Sequence, residues 1–197
     1  MFNKLYENLL EKLNDNKQCV IITILKPKDD TSGYIKEKTL LTKNDIDNKT
    51  LPFDDYIYEG IHKAISLGQI YTLKTKDDEL AVIEPFFTKS EPLCEFNLDI
   101  ISNISNEDST PKALLTILPS KGAVCKKAGA KMIAYVDGRT VGCIGGGCSE
   151  AGVLTKARTM INRCEYAIEH VNMTSAVDKS IDIICDGTME VLIEIFD

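Results

Sequence analysis

The sequence contains no Cys-x-x-Cys pair, no Gly-x-Gly-x-x-Gly fingerprint and no Gly-Lys-Ser/Thr phosphate loop. The two standard nucleotide-binding readings therefore lose ground, and a structural zinc site is not favoured. No apolar run reaches membrane-spanning length, and the first residues form an amphipathic pattern rather than a signal peptide. A basic excess is missing too: 23 Lys and Arg stand against 30 Asp and Glu, a net charge of −7. That balance argues against nucleic-acid binding, which demands a basic face. Seven cysteines, an odd number with no secretory signal before them, define no disulfide framework. They fit free thiols in a reducing compartment, so a cytoplasmic protein without a membrane anchor is expected.

What is present is enough apolar material for one sizeable domain or two small ones, with 44% hydrophobic residues in 197. The chain is organised around Gly142-Cys143-Ile144-Gly145-Gly146-Gly147-Cys148-Ser149-Glu150. A strand-like run precedes these glycines, and Val153, Leu154, Ala157, Met160 and Ile161 follow at helical spacing. The pattern predicts a strand, a tight turn and a helix N-terminus. Glycines there admit positive φ and let a ligand approach bare backbone, while the unpaired N–H groups of the first helical turn favour negative charge. Cys148 falls where that partial positive charge favours a thiolate, and Glu150 either caps the turn or adds first-turn charge. The bland alternatives are a close backbone crossing at the glycines and a buried, inert Cys148.

In chain order, Met1 to Asn14 reads as an amphipathic helix, Val20 to Leu25 as a buried strand before a polar loop, and Lys38 to Thr42 as a short strand. A helix marked by Ile57, Ile61, Ala64 and Ile65 is stopped by Gly68, and strands follow at Ile70 to Lys74 and Leu80 to Phe87. Pro85 belongs at the edge or end of the last of these. After a linker at 88–95 come a helix (Phe96 to Ile104), a buried strand (Ala113 to Leu118) and a hairpin through Asp137-Gly138, then the glycine loop and its helix. Strands at Tyr166 to Val171, Ile181 to Cys185 and Thr188 to Phe196 complete the chain, with a polar loop from Met173 to Lys179. Ile22-Thr23-Ile24-Leu25 lies against Leu115-Thr116-Ile117-Leu118, Lys38-Thr39-Leu40 against Lys131-Met132-Ile133, and Ile83-Glu84-Pro85-Phe86 against Ile193-Glu194-Ile195-Phe196. The expected fold is therefore α/β or α+β, in two similar units from a degenerate internal duplication: 1–87, and 96–197 with the glycine loop. Leu51-Pro52-Phe53-Asp54-Asp55 occupies the place of the glycines in the first copy, which is expected to lack the site.

Three ordered segments carry a family resemblance. Lys121 to Met132, Asp137 to Glu150, and Cys185-Asp186-Gly187-Thr188-Met189-Glu190-Val191-Leu192-Ile193-Glu194 resemble the XdhC/CoxI family, over roughly the second half of the chain. The resemblance implies a carrier without turnover that binds the molybdenum cofactor. Such a protein protects the cofactor while a cysteine desulfurase supplies the terminal sulfido ligand, and passes it to a xanthine dehydrogenase-type molybdenum hydroxylase. A homodimer is among the expectations. The implied ligand suits the residues, since a glycine-rich helix start can hold the phosphate of molybdopterin and a thiolate is an apt partner for molybdenum. Cofactor-binding candidates are Gly145, Gly146, Gly147, Cys148, Glu150, Lys126, Lys127, Cys185, Asp186 and Gly187, with Cys148 also at the metal. Lys121, Lys126, Lys127, Lys131 and Arg139 form a local basic excess that would attract an anion, with a solvated surface as the alternative.

Departures from the family's pattern are specific. Lys121 replaces the first arginine of the usual Arg-Gly-Ser-x-Pro-Arg-x-Pro-Gly segment, Cys125 and Ala128 replace its prolines, and Asp186 replaces the first glycine of a closing Cys-Gly-Gly. Many members continue into a Rossmann-like domain, which is expected here from another protein or not at all. Two further classes stay open on the residues. One is zinc binding by some of Cys125, Cys143, Cys148, Cys164 and Cys185; the other is a thiol enzyme with Cys148 as nucleophile and His170 or His62 as base.

Overall fold

The computed structural model describes residues 3–87, 95–105, 110–119, 121–122, 128–145, 148–161, 166–172 and 187–196. It is a mixed α/β protein of two compact units, Met1–Lys28 with Gly33–Ser109, and Asp29–Ser32 with Thr110–Asp197.

The first unit opens with α1 (Asn3–Asn14), which buries Tyr6, Leu9 and Leu13 at helical spacing and carries Lys12 in its last turn, complementing the carbonyl end. Asn16 closes it at φ 55°, in the left-handed region that Asn tolerates. The β-branched run predicts β1 (Cys19–Pro27), whose first seven residues are buried on both faces. Antiparallel to it runs β2 (Ser32–Thr42), longer than its apolar part suggests because pairing with β1 carries the polar first half. Thr42 then opens the short α2 (Lys43–Asp47) through a reciprocal capping box with Asp45, an element the sequence reading lacks. Next, α3 (Asp55–Leu67) packs Ile57, Tyr58, Ile61 and Ala64 on Val20, Ile22, Ile24, Ala81 and Ile83, and ends at Gly68 with φ 65°. β3 (Tyr71–Lys74) and β4 (Leu80–Phe86) complete the sheet, in order β3-β4-β1-β2. Pro85 lies beyond the end of β3, where β4 pairs with β1 and the missing N–H is tolerated.

Helix α4 (Glu95–Ser105) buries Ile100, Ile101 and Ile104 and packs on α1. The compact units divide at Ser109 and Thr110, so this helix, expected in the second unit, groups with the first. Of the expected linker, 88–94 lies outside the described residues.

The Cys19 thiol has a titration consequence. It is fully buried and donates to the carbonyl of Lys17 at 3.7 Å, and burial pushes it up from 9.0 to about 11. The folded state thus keeps a proton that the unfolded chain releases, and its contribution to stability is present below pH 9 and lost as pH rises toward 11. Denaturant midpoints measured through that window should fall more steeply for the native protein than for Cys19→Ala; equal slopes would refute the assignment.

In the second unit, β5 (Lys112–Ile117) is buried along its whole length. The two-residue β6 (Lys121–Gly122) leads toward β7 (Lys131–Tyr135) and β8 (Thr140–Gly142), followed by α5 (Cys148–Met160), β9 (Tyr166–Asn172) and β10 (Gly187–Phe196). The order is β9-β10-β5-β7-β8, with β6 on β10 and every pair antiparallel. Val153, Ala157 and Met160 of α5, with Ile161 just after it, cover a face made by Leu115, Ile117, Met132, Ala134, Val191 and Ile193. The hairpin between β7 and β8 differs from the two-residue turn expected at Asp137-Gly138. Tyr135 N–H donates to Arg139 O at 3.0 Å, which leaves Val136 to Gly138 as a three-residue loop with Gly138 at φ 97°. The expected loop from Met173 to Lys179 and strand from Ile181 to Cys185 lie outside the described residues.

The two units share one pattern of pairing. Ile22 opposes Thr39 on β2 and Ile83 on β4; Leu115 opposes Met132 on β7 and Ile193 on β10. Helices α3 and α5 are each 13 residues long, and Ala64 and Ala157 are both fully buried. Strand β8 has no counterpart in the first unit.

Candidate functional site

The glycine loop is positioned from below by the core and from behind by β7 and β8. Strand β8 ends at Gly142, whose φ of 89° no side-chain-bearing residue adopts readily. Cys143 N–H donates to the carbonyl of Lys131 at 3.2 Å, and Ile144 is fully buried among Leu115, Met132 and Val153. Ile144 thus anchors the loop under α5, and the chain needs only Gly145 to Gly147 to reach the helix start at Cys148. A Cβ built on Gly145 meets nothing within 4 Å. Among the described residues, no close backbone crossing requires the glycine there. Gly146, Gly147 and the side chain of Cys148 lie outside the described residues, as do Lys126, Lys127, Cys185 and Asp186.

Glu150, in the first turn of α5, accepts a hydrogen bond from the Cys143 thiol, with Sγ at 3.5 Å from Oε2. This contact brings Cys143 into the site, a residue that the sequence reading weighs only as a zinc candidate. The signal was its place one residue beyond β8, at the foot of a loop that returns to a helix start. A half-buried thiol held by a carboxylate lies on one flank of the glycines, and the helix start bearing Cys148 on the other.

The family-like segments converge through backbone pairing. Gly187 opposes Gly122, and Thr188 opposes both Lys121 and Asn172, so the first and third segments meet at the start of β10. Two described members of the local basic excess are held in different ways. Lys131 is 1% exposed, with its ammonium donating to Thr116 Oγ1 at 2.9 Å, while exposed Arg139 is paired to Asp137 at 2.6 Å and lies over the Tyr135 ring. His170 sits at 3.5 Å from Glu190, and His62 is exposed on α3 of the first unit. The contact observed for a described thiol of the loop is with Glu150, and neither imidazole takes part in it. Among the described residues no group of three or more His, Cys, Asp or Glu is placed to hold a metal ion, and no helix is long and apolar enough to cross a membrane.

Residues 106–172 match the XdhC and CoxI family. The matched segment runs from before β5 through the glycine loop and α5 to the end of β9, and stops short of β10. A solved structure described as a xanthine dehydrogenase from Bacillus halodurans is 27% identical, with a TM-score of 0.43, over 50% of this chain and 30% of that one. The matched region thus spans less than a third of that chain's length. No curated protein matches. The matched segment holds Gly145 and the hydrogen-bonded pair Cys143 and Glu150.

Proposed function

We propose that this protein takes part in the maturation of a xanthine dehydrogenase-type molybdenum hydroxylase, as a cytoplasmic carrier that binds the molybdenum cofactor as cargo and does not itself turn over. The observation that carries the reading is Gly145, whose Cβ position is unobstructed among the described residues, between a core-anchored strand end and the start of α5, inside the segment that matches the XdhC and CoxI family. The N–H groups at the helix start suit the terminal phosphate of the cargo, and thiols suit the molybdenum end. Cys148 and the Gly145-Gly146-Gly147 turn are assigned to the cargo, with Cys143 and Glu150 beside them. Lys126, Lys127, Cys185, Asp186 and Gly187 supply the second set of contacts that the length of molybdopterin requires. The client hydroxylase and a cysteine desulfurase acting as sulfur donor are the proposed partners, with self-association as a homodimer. We infer also that the first unit is a divergent duplicate of the second, for which the shared strand order and pairing register are the support.

Titration of the full chain with purified molybdenum cofactor under anaerobic conditions tests the reading. Saturable binding is expected, weakened in Gly146→Val by the side chain that would block backbone approach, and unchanged in Cys19→Ala. Circular dichroism confirms that the variants fold. Equal affinity in all three proteins would place the site elsewhere.

A further inference from the structure

A concavity of about 560 Å³ lies in the first unit, at the end of α1 and the start of α2. It is lined by Lys12, Lys17 and Lys43 together with Asn16, Gln18, Thr42 and Asn44, and no carboxylate is among the described lining residues. On a chain with 30 acidic residues against 23 basic ones, such a lining is a local reversal of charge. The three ammonium groups come from three different segments: the last turn of α1, the turn into β1 and the first residue of α2. Two of them are tied together by the backbone, since Lys17 N–H donates to the carbonyl of Lys12 at 2.9 Å where Asn16 closes the helix. Nearby acidic groups offset part of the reversal at Lys17 and leave it at Lys12 and Lys43. Asp15 pairs with Lys17 at 3.3 Å, and Asp45 turns its carboxylate into the cap of α2, accepting from Thr42 N–H and Oγ1.

We propose that this concavity is a second anion site, which takes a phosphate group, free or as a phosphomonoester, on the ammonium groups of Lys12, Lys17 and Lys43. Its size is that of pockets that bind small molecules, and the amide side chains of Asn16, Gln18 and Asn44 supply neutral donors for the remaining phosphate oxygens. It is not the counterpart of the glycine loop. By the correspondence of α3 with α5, that counterpart is Leu51 to Asp55, whereas this concavity lies at the end of β2. Exposed lysines on flexible stems give modest, salt-sensitive binding, so millimolar affinity at low ionic strength is expected.

The test is an NMR titration of the full chain at low ionic strength with inorganic phosphate and, separately, phenyl phosphate. Saturable shifts are expected at the amides of Asn16 to Gln18 and of Lys43 and Asn44, with binding about tenfold weaker in the double variant Lys12→Gln, Lys43→Gln. Lys74→Gln, remote and paired with Asp78, should leave the affinity unchanged. Tighter binding of phenyl phosphate assigns the site to an organic ester, and equal binding to free phosphate. Non-saturating shifts that chloride of equal ionic strength reproduces would overturn the proposal, as would equal affinity in the double variant. Saturable shifts confined to Gly145 to Glu150 would also overturn it while leaving the molybdenum cofactor reading intact.

Discussion

Cys148→Ala should keep its fold and lose about 10–100-fold in affinity for molybdenum cofactor. The position begins α5 directly after the glycines, where the first-turn N–H groups stabilise negative charge and hence a thiolate. The substitution removes the soft donor while keeping a residue that a helix accepts, so circular dichroism should be unchanged. Cys143 separates two versions of the idea. Its thiol is already engaged by Glu150, so Cys143→Ala should weaken binding less than Cys148→Ala does. The reverse order, measured by anaerobic equilibrium binding, would transfer the metal contact to Cys143.

Ile144→Ala should destabilise the protein by about 2–5 kcal/mol and weaken cofactor binding in the protein that remains folded. Ile144 is fully buried against the sheet and α5, and it is the peg from which the glycine turn departs. Truncation leaves a cavity and frees the end of the loop. Ile193→Ala, equally buried in the middle of β10, should give a similar loss of stability with little change in binding under conditions where both variants are folded. Urea midpoints and binding constants on the pair decide the matter. If both variants bind like the native protein, the loop does not depend on its anchor.

Much of this fold is legible in the sequence because the elements that matter are strongly patterned. The β-branched run of β1, the apolar spacing of α3 with Gly68 at its end, and the strand, glycine and helix order around Cys148 all follow from local residue types. The pairing register is strongly specified in both units, since a one-residue slip would turn buried faces outward. What the sequence does not disclose is set by tertiary contacts. Five residues are too few for helical periodicity, so α2 is visible only through the Thr42 and Asp45 box. The polar start of β2 is a strand because β1 pairs with it, and α4 joins the first unit because its isoleucines meet α1. Lys131 reads as a surface charge, yet its stem and ammonium are buried beside Thr116. Cys143 and Glu150 are both visible in the sequence, but only the return of the chain through the glycine turn brings one to the other.

The most direct measurement is the molybdenum and pterin content of the full chain purified anaerobically from a molybdenum-replete host. Molybdenum and pterin in equal amounts, both greatly reduced in Cys148→Ala and retained in Cys19→Ala, are the expected result. Folded protein that carries neither, from cells whose molybdenum hydroxylases are fully loaded, would contradict the assignment of molybdenum cofactor as its cargo.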